Sequence, residues 1–303
     1  MKNITVQQIN DPQKQAAFVA SCDLSFEKRV DDAIEEIASL PSLRLLGLTG
    51  PTCSGKTTAA KKLTASLEEH GHRVHVVSID DFYFDKSVLQ LRADNDPNIE
   101  IDYDSEDTID VTLLEEKTAS LLRGNETKMP RFDFRSGVRT EGVTLTPRAE
   151  DVFLFEGIQI LYPKVDRILS GEVYRSIYIC PSSSIEVAGE CFTPNEIRLM
   201  RRLVRDHRYR ASDPAFTLYL WQSVRENEEK SIFPNANRCH ATIDSTMPYE
   251  IGMLKPHLLQ LLSTIPSENP FFGQAQTMLK KLSAVVEIPS EYLTENSIYK
   301  EFI

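Results

Sequence analysis

One stretch limits the folds open to this chain more than any other. Residues 43–58 read LRLLGLTGPTCSGKTT, an apolar run, then a loop framed by Gly50 and Gly55, then Lys56 and Thr57 opening a helical segment that Gly71 is placed to stop. A second apolar run, VHVVSID, follows at once. Strand, loop, helix and strand in this order predict a parallel, right-handed β-α-β unit, and hence an α/β fold with its functional residues at the carboxyl ends of the strands.

The loop Gly50-Pro51-Thr52-Cys53-Ser54-Gly55-Lys56-Thr57 matches G-x-x-x-x-G-K-[ST] in full, between the flanks that spelling requires. Glycine lets backbone N–H groups turn inward and approach phosphate oxygens closely. Lys56 supplies charge to the β- and γ-phosphates, Thr57 offers a hydroxyl to Mg²⁺, and the helix N-terminus, reaching Thr58, adds a partial positive charge. Gly50 to Thr58 are therefore the expected ATP-binding residues.

Such a loop serves kinases, ATPases and switches alike, so acceptor chemistry has to come from other residues. Asp80 and Asp81 end the second strand, where a carboxylate would ligate Mg²⁺ or orient an attacking hydroxyl; the pattern leaves open which of the two points inward. Glu156 ends the run VFLF and offers a further carboxylate to the metal. Arg198, Arg201, Arg202 and Arg205 share one helix face, with Arg208 and Arg210 beyond, and read as a lid that closes on phosphates. His72 and His75 lack the companions a metal site needs.

The chain has 303 residues, 26% of them charged, and a net charge of −11, which argues against general attraction to nucleic acid or anionic membranes. Five scattered cysteines without a C-x-x-C pair fit reduced thiols, and no apolar run reaches the ~18 residues of a membrane span. A cytoplasmic protein is expected. Residues 1–40 form an N-terminal extension whose helix carries Phe26, Val30, Ala33, Ile34 and Ile37 on one face; 41–265 form the main domain; 266–303 form a C-terminal helix and tail. Within the main domain, alternation around Arg135-Ser136-Gly137 predicts a projecting β-hairpin, and residues 194–210 and 213–230 read as helices joined near Ala211 and Ser212.

In order, GPTCSGKTT, SIDDFY, DYDSEDTID, PRFDFRSGVR, LFEGI and IRLMRRLVRDHRYR resemble the uridine kinase and phosphoribulokinase family of P-loop kinases, over roughly residues 24–303. The text is most similar to bacterial uridine-kinase-like nucleoside kinase domains that follow a TGS module, although no such module fits the N-terminal segment. The resemblance implies a P-loop NTPase parallel sheet flanked by helices, with hairpin and arginine lid. It implies ATP-dependent phosphoryl transfer to a hydroxyl of a small acceptor, and commonly a homo-oligomer. It further implies that Asp80 is the catalytic carboxylate, acting with Lys56, Arg198 and Arg201. Thr57, Asp80 and Glu156 would surround Mg²⁺, while Tyr83, Asp104, Phe132, Arg198 and Arg201 would meet the substrate.

Where uridine kinases carry a tyrosine and a histidine in the hairpin and a glutamine in the lid, this chain has Phe132, Gly137 and Phe216. Lost hydrogen bonds at a base edge cost roughly 1–3 kcal/mol each, which weakens selection of uridine or cytidine. The expected acceptor is nucleoside- or sugar-like. Two other classes stand beside this one: a nucleotide-binding regulatory protein without an acceptor, and a kinase of an RNA or protein hydroxyl.

Overall fold

The computed structural model describes residues 2–38, 42–95, 105–171 and 173–303. In chain order its elements are β1 (Asn3–Val6), α1 (Pro12–Ala38), β2 (Leu45–Thr49), α2 (Lys56–Glu69), β3 (Val74–Ser78), α3 (Lys86–Asn95), α4 (Val111–Leu122), β4 (Thr127–Asp133), β5 (Val138–Leu145) and β6 (Val152–Glu156). There follow α5 (Pro163–Leu169), β7 (Tyr174–Cys180), β8 (Ser184–Val187), β9 (Glu190–Phe192), α6 (Pro194–Arg210), α7 (Pro214–Asn227), β10 (Ala241–Asp244), α8 (Glu250–Leu262) and α9 (Phe272–Ser283).

The central sheet is parallel throughout, in the order β10-β7-β2-β6-β3. Its strands are short apolar runs, and alternate residues feed opposite faces. Leu46 and Leu48 of β2 and Leu154 of β6 join a core with α1, α2, α6, α8 and α9, whereas Leu45, Phe153 and Phe155 join another with α4, α5 and the hairpin. The chain leaves β2 for β3 on one side and later crosses from β6 to β7 on the other. The strand order therefore reverses at β2, and a crevice opens beyond its carboxyl end. The expected hairpin is present as β4 and β5, antiparallel and bulged between Lys128 and Pro130.

The divisions at 40 and 266 do not correspond to separate cores. Val19, Phe26, Val30 and Ile34 of α1 and Ile298, Tyr299 and Phe302 of the C-terminal tail belong to the same buried cluster as the sheet. The first helix begins at Pro12, well before Phe26, because Val19 and Cys22 extend the apolar stripe backwards and Asp11 accepts from Gln13 N–H at 3.0 Å. The polar opening residues form β1, which pairs in parallel with β8. All five cysteines are free, and among the described residues no helix is long and apolar enough to cross a membrane.

Candidate active site

The glycine loop leaves β2 at the sheet's centre and wraps the N-terminus of α2. Gly55 holds φ at 92°, and a Cβ there would fall 2.3 Å from Ile298 Cδ1, so neither backbone nor space admits a side chain. A Cβ on Gly50 would fall 2.0 Å from the carbonyl oxygen of Ile179. Lys56 curls back over the loop, donating to the carbonyls of Gly50 (3.0 Å) and Pro51 (3.1 Å). Burial lowers the pKa of its ammonium, against the opposing pull of Glu156, Glu301 and Asp80.

A cleft of about 1140 Å³ opens over this loop and brings together Thr52 to Thr57, Asp80, Tyr83, Phe132 and Glu156. β3 stops at Ser78, and a 3-10 turn, Ile79–Phe82, aims the two aspartates apart. Asp81 accepts from Phe132 N–H at 3.0 Å and so ties the hairpin down, while Asp80 faces the cleft. The ambiguity between them is thereby resolved. Asp80 is pushed up to about 6, chiefly by burial and then by the charge of Glu156. Glu156 accepts from Ser78 Oγ at 2.6 Å.

Gln159 is a site residue that motif reading missed. Fully buried, it donates to Asp80 Oδ1 (3.1 Å) and to the Tyr83 hydroxyl (2.8 Å), fixing the carboxylate against the aromatic wall. Its only signal in the sequence is its position in the turn that follows Glu156. Tyr83, Phe132 and Phe134 pack mutually with ring centroids 5.1–6.1 Å apart, and Lys86 and Arg135 stand at the same end of the cleft.

Arg198 and Arg201 are not where a lid reading puts them. Both are fully buried, and they support the loop from below. Arg198 donates to Thr52 O at 3.0 Å and pairs with Glu228; Arg201 donates to Cys53 O at 3.3 Å and pairs with Glu250 at 2.8 Å. The shared helix face is real, but its first turn meets the underside of the loop and the Trp221 ring instead of open space. The arginines of α6 that do line the cleft are Arg202, Arg205, Arg208 and Arg210. Asp206 gathers three of these, accepting from Arg202 Nε (3.2 Å) and Arg205 Nε (2.9 Å) and lying 3.6 Å from Arg210 Nη1. Phe216 is exposed on α7, outside the cleft lining, and Gly137 caps the hairpin against Lys86. Asp104 lies outside the described residues. His75 bonds Asp151 at 2.8 Å, and no metal-binding group of acidic, His or Cys side chains occurs among the described residues.

One cleft at the carboxyl end of a parallel sheet thus brings together the glycine loop, the carboxylate of Asp80 and arginines of α6. The sequence profile of the Phosphoribulokinase / Uridine kinase family matches residues 45–251. The chain belongs to this family. It is an ATP-dependent kinase of small substrates, with an α/β P-loop NTPase fold, and kinases of the family generally use ATP with Mg²⁺. The uridine kinase of Vibrio atlanticus (strain LGP32) is 27% identical over 73% of this chain and 96% of its own length. That of Staphylococcus aureus (strain JH9) is 30% identical over 63% and 82% respectively. The structure of D-glycerate 3-kinase from Cryptococcus neoformans covers 78% of this chain and 87% of its own at 18% identity, with a TM-score of 0.43.

Proposed function

We propose that the chain transfers the γ-phosphoryl group of ATP to a hydroxyl of a nucleoside- or sugar-like acceptor, with weakened selection for a pyrimidine base. The observation that carries this reading is Asp80, held by Gln159 opposite the phosphate loop, with the Tyr83, Phe132 and Phe134 rings beside it. In this reading Gly50 to Thr58 cradle the donor phosphates. The acceptor hydroxyl gives its proton to Asp80, the new O–P bond forms as the bond from the γ-phosphorus to the β-bridging oxygen breaks, and ADP leaves. Arg202, Arg205 and Arg208 meet the charge spread over the transferring group, while Arg198 and Arg201 keep the loop in shape beneath it.

Hard oxygen donors suit Mg²⁺, and two carboxylates close enough for one to raise the other's pKa favour a cation between them. Thr57, Asp80 and Glu156 would hold the ion, which would neutralise phosphate charge when bound. The hairpin rings fit the flat face of a base or sugar, and Phe132 offers no side-chain hydrogen bond to a base edge.

The test is ATP-to-ADP conversion with Mg²⁺ over a panel of nucleosides and sugars, with products identified by mass spectrometry. Acceptor-dependent turnover is expected, and Asp80→Asn should abolish it while ATP binding persists. ATP binding with no phosphorylated product from any acceptor would refute the reading and favour a nucleotide-dependent regulator.

A further inference from the structure

The turn Ile298–Glu301 reaches the phosphate loop, within the closing stretch IPSEYLTENSIYKEFI that shares in the family resemblance. Ile298 and Tyr299 are fully buried in the 3-10 turn Ile298–Glu301. Ile298 fills the space in front of Gly55, and the Tyr299 hydroxyl donates to Glu250, the same carboxylate that pairs with Arg201 beneath Cys53. These two contacts fix the turn against the loop and leave Glu301 at the mouth of α2. Its Oε2 accepts both the backbone N–H and the hydroxyl of Thr58, each at 3.1 Å.

The position of Thr58 gives that contact its meaning. The first intrahelical bond of α2 runs from Ala59 N–H to Gly55 O at 3.0 Å, so Thr58 carries the last N–H of the helix terminus free to serve an anion. A carboxylate and a nucleotide phosphate cannot both take one N–H, and side by side they repel. Glu301 also lines the cleft and lies within the field of Lys56. Past Thr58 a second cavity of about 570 Å³, lined by Lys61 and Lys300 but also by Glu27, Asp31 and Glu295, leaves space into which the carboxylate can swing.

We propose that Glu301 is a built-in anionic occupant of the donor's phosphate site. Its carboxylate holds Thr58 in the free enzyme and is displaced when a nucleotide phosphate arrives, so the C-terminal turn sets donor affinity. The proposal rests on the loop's being a nucleotide site and is independent of the acceptor.

The test is calorimetric titration of the 303-residue protein with Mg-ADP, no acceptor being present. Glu301→Ala is expected to bind ADP about tenfold more tightly than the parent. Glu301→Gln should fall between them, since a neutral amide oxygen still occupies Thr58 but does not repel phosphate. Unchanged or weaker ADP affinity in both variants would show that Glu301 braces the loop and would overturn the proposal. If Glu301→Ala fails to fold, Glu301→Gln alone decides the comparison. Amide exchange gives a second reading on the parent protein. Saturating ADP should accelerate exchange in residues 297–303, and slower exchange there would mean that the turn closes on the nucleotide, again overturning the proposal. A failed acceptor panel would leave both results standing, whereas absence of ADP binding in all three proteins would overturn this proposal together with the nucleotide reading.

Discussion

Replacing Asp80 by asparagine tests the electrostatics of the site without any substrate. Asparagine keeps the size of the side chain and an oxygen to accept from Gln159, now 3.1 Å from Asp80 Oδ1, but removes the charge. Burial and Glu156 raise the Asp80 carboxyl from 3.8 to about 6. At 1.36 kcal/mol per pH unit the rise corresponds to about 3 kcal/mol, an upper bound because mobile cations relieve part of the cost. The sign follows from proton linkage. Between the two values the folded protein binds the proton more tightly than the unfolded chain, so stability falls as pH rises from about 4 to about 6 and then stays level. Asp80→Asn lacks that loss. Without Mg²⁺ or nucleotide, the variant should exceed the parent by up to about 3 kcal/mol at pH 8, on the order of 5 °C in Tm, and the advantage should shrink to about 1 kcal/mol at pH 4.5 and vanish below about pH 3. Thermal and urea unfolding of both proteins across this range measure it. Titrating groups remote from Asp80 cancel in the difference, while Glu156 and Lys56, whose charges act on Asp80, titrate with it as one coupled set. An advantage of the same size at both ends, or a variant less stable than its parent at pH 8, would refute the assignment of a strained, charged Asp80.

Two further outcomes follow from the division of labour among the arginines. Arg205 faces the cleft with its guanidinium held by Asp206 at 2.7 Å; Arg205→Ala should lower kcat by about 10²–10³ while changing ADP affinity less than tenfold, as steady-state kinetics and titration will show. Arg201 is fully buried against Glu250, so Arg201→Met should cost about 3–5 kcal/mol in urea unfolding by leaving that carboxylate uncompensated. An Arg201→Met protein of parental stability would remove the structural role given to this residue.

How far the molecule could be read from its sequence depended on whether a residue's task is fixed locally. The phosphate loop was legible because its backbone demands glycine at fixed spacing between a strand and a helix, and Gly55 at φ 92° shows that demand. The hairpin was legible from Gly137, at φ 71°, between alternating runs, whereas the junction at Ala211, which adopts φ 50° without a glycine, was legible only as the gap between two charged helical patterns. Periodicity places residues on a common helix face but does not say what the face meets, which is why Arg198 and Arg201 looked like companions of Arg205. The polar residues before α1 gave no strand signal because β1 exists only through its pairing with β8, a contact far away in the chain. Gln159 and Glu301 act through partners 79 and 243 residues away, distances at which one sequence carries no local pattern. The buried arginines nonetheless explain how the active site is built. Arg198 binds Thr52 O and Arg201 binds Cys53 O, so each takes up a loop carbonyl from below. Two loop carbonyls, those of Thr52 and Cys53, are thereby fixed to buried side chains of α6. Each guanidinium is in turn neutralised by a glutamate, Glu228 or Glu250, which keeps its charge from being stranded in the core. Glu228 also accepts from Thr52 N–H at 3.2 Å, so the same residue is gripped at both of its backbone groups and less ordering is left for a ligand to impose there.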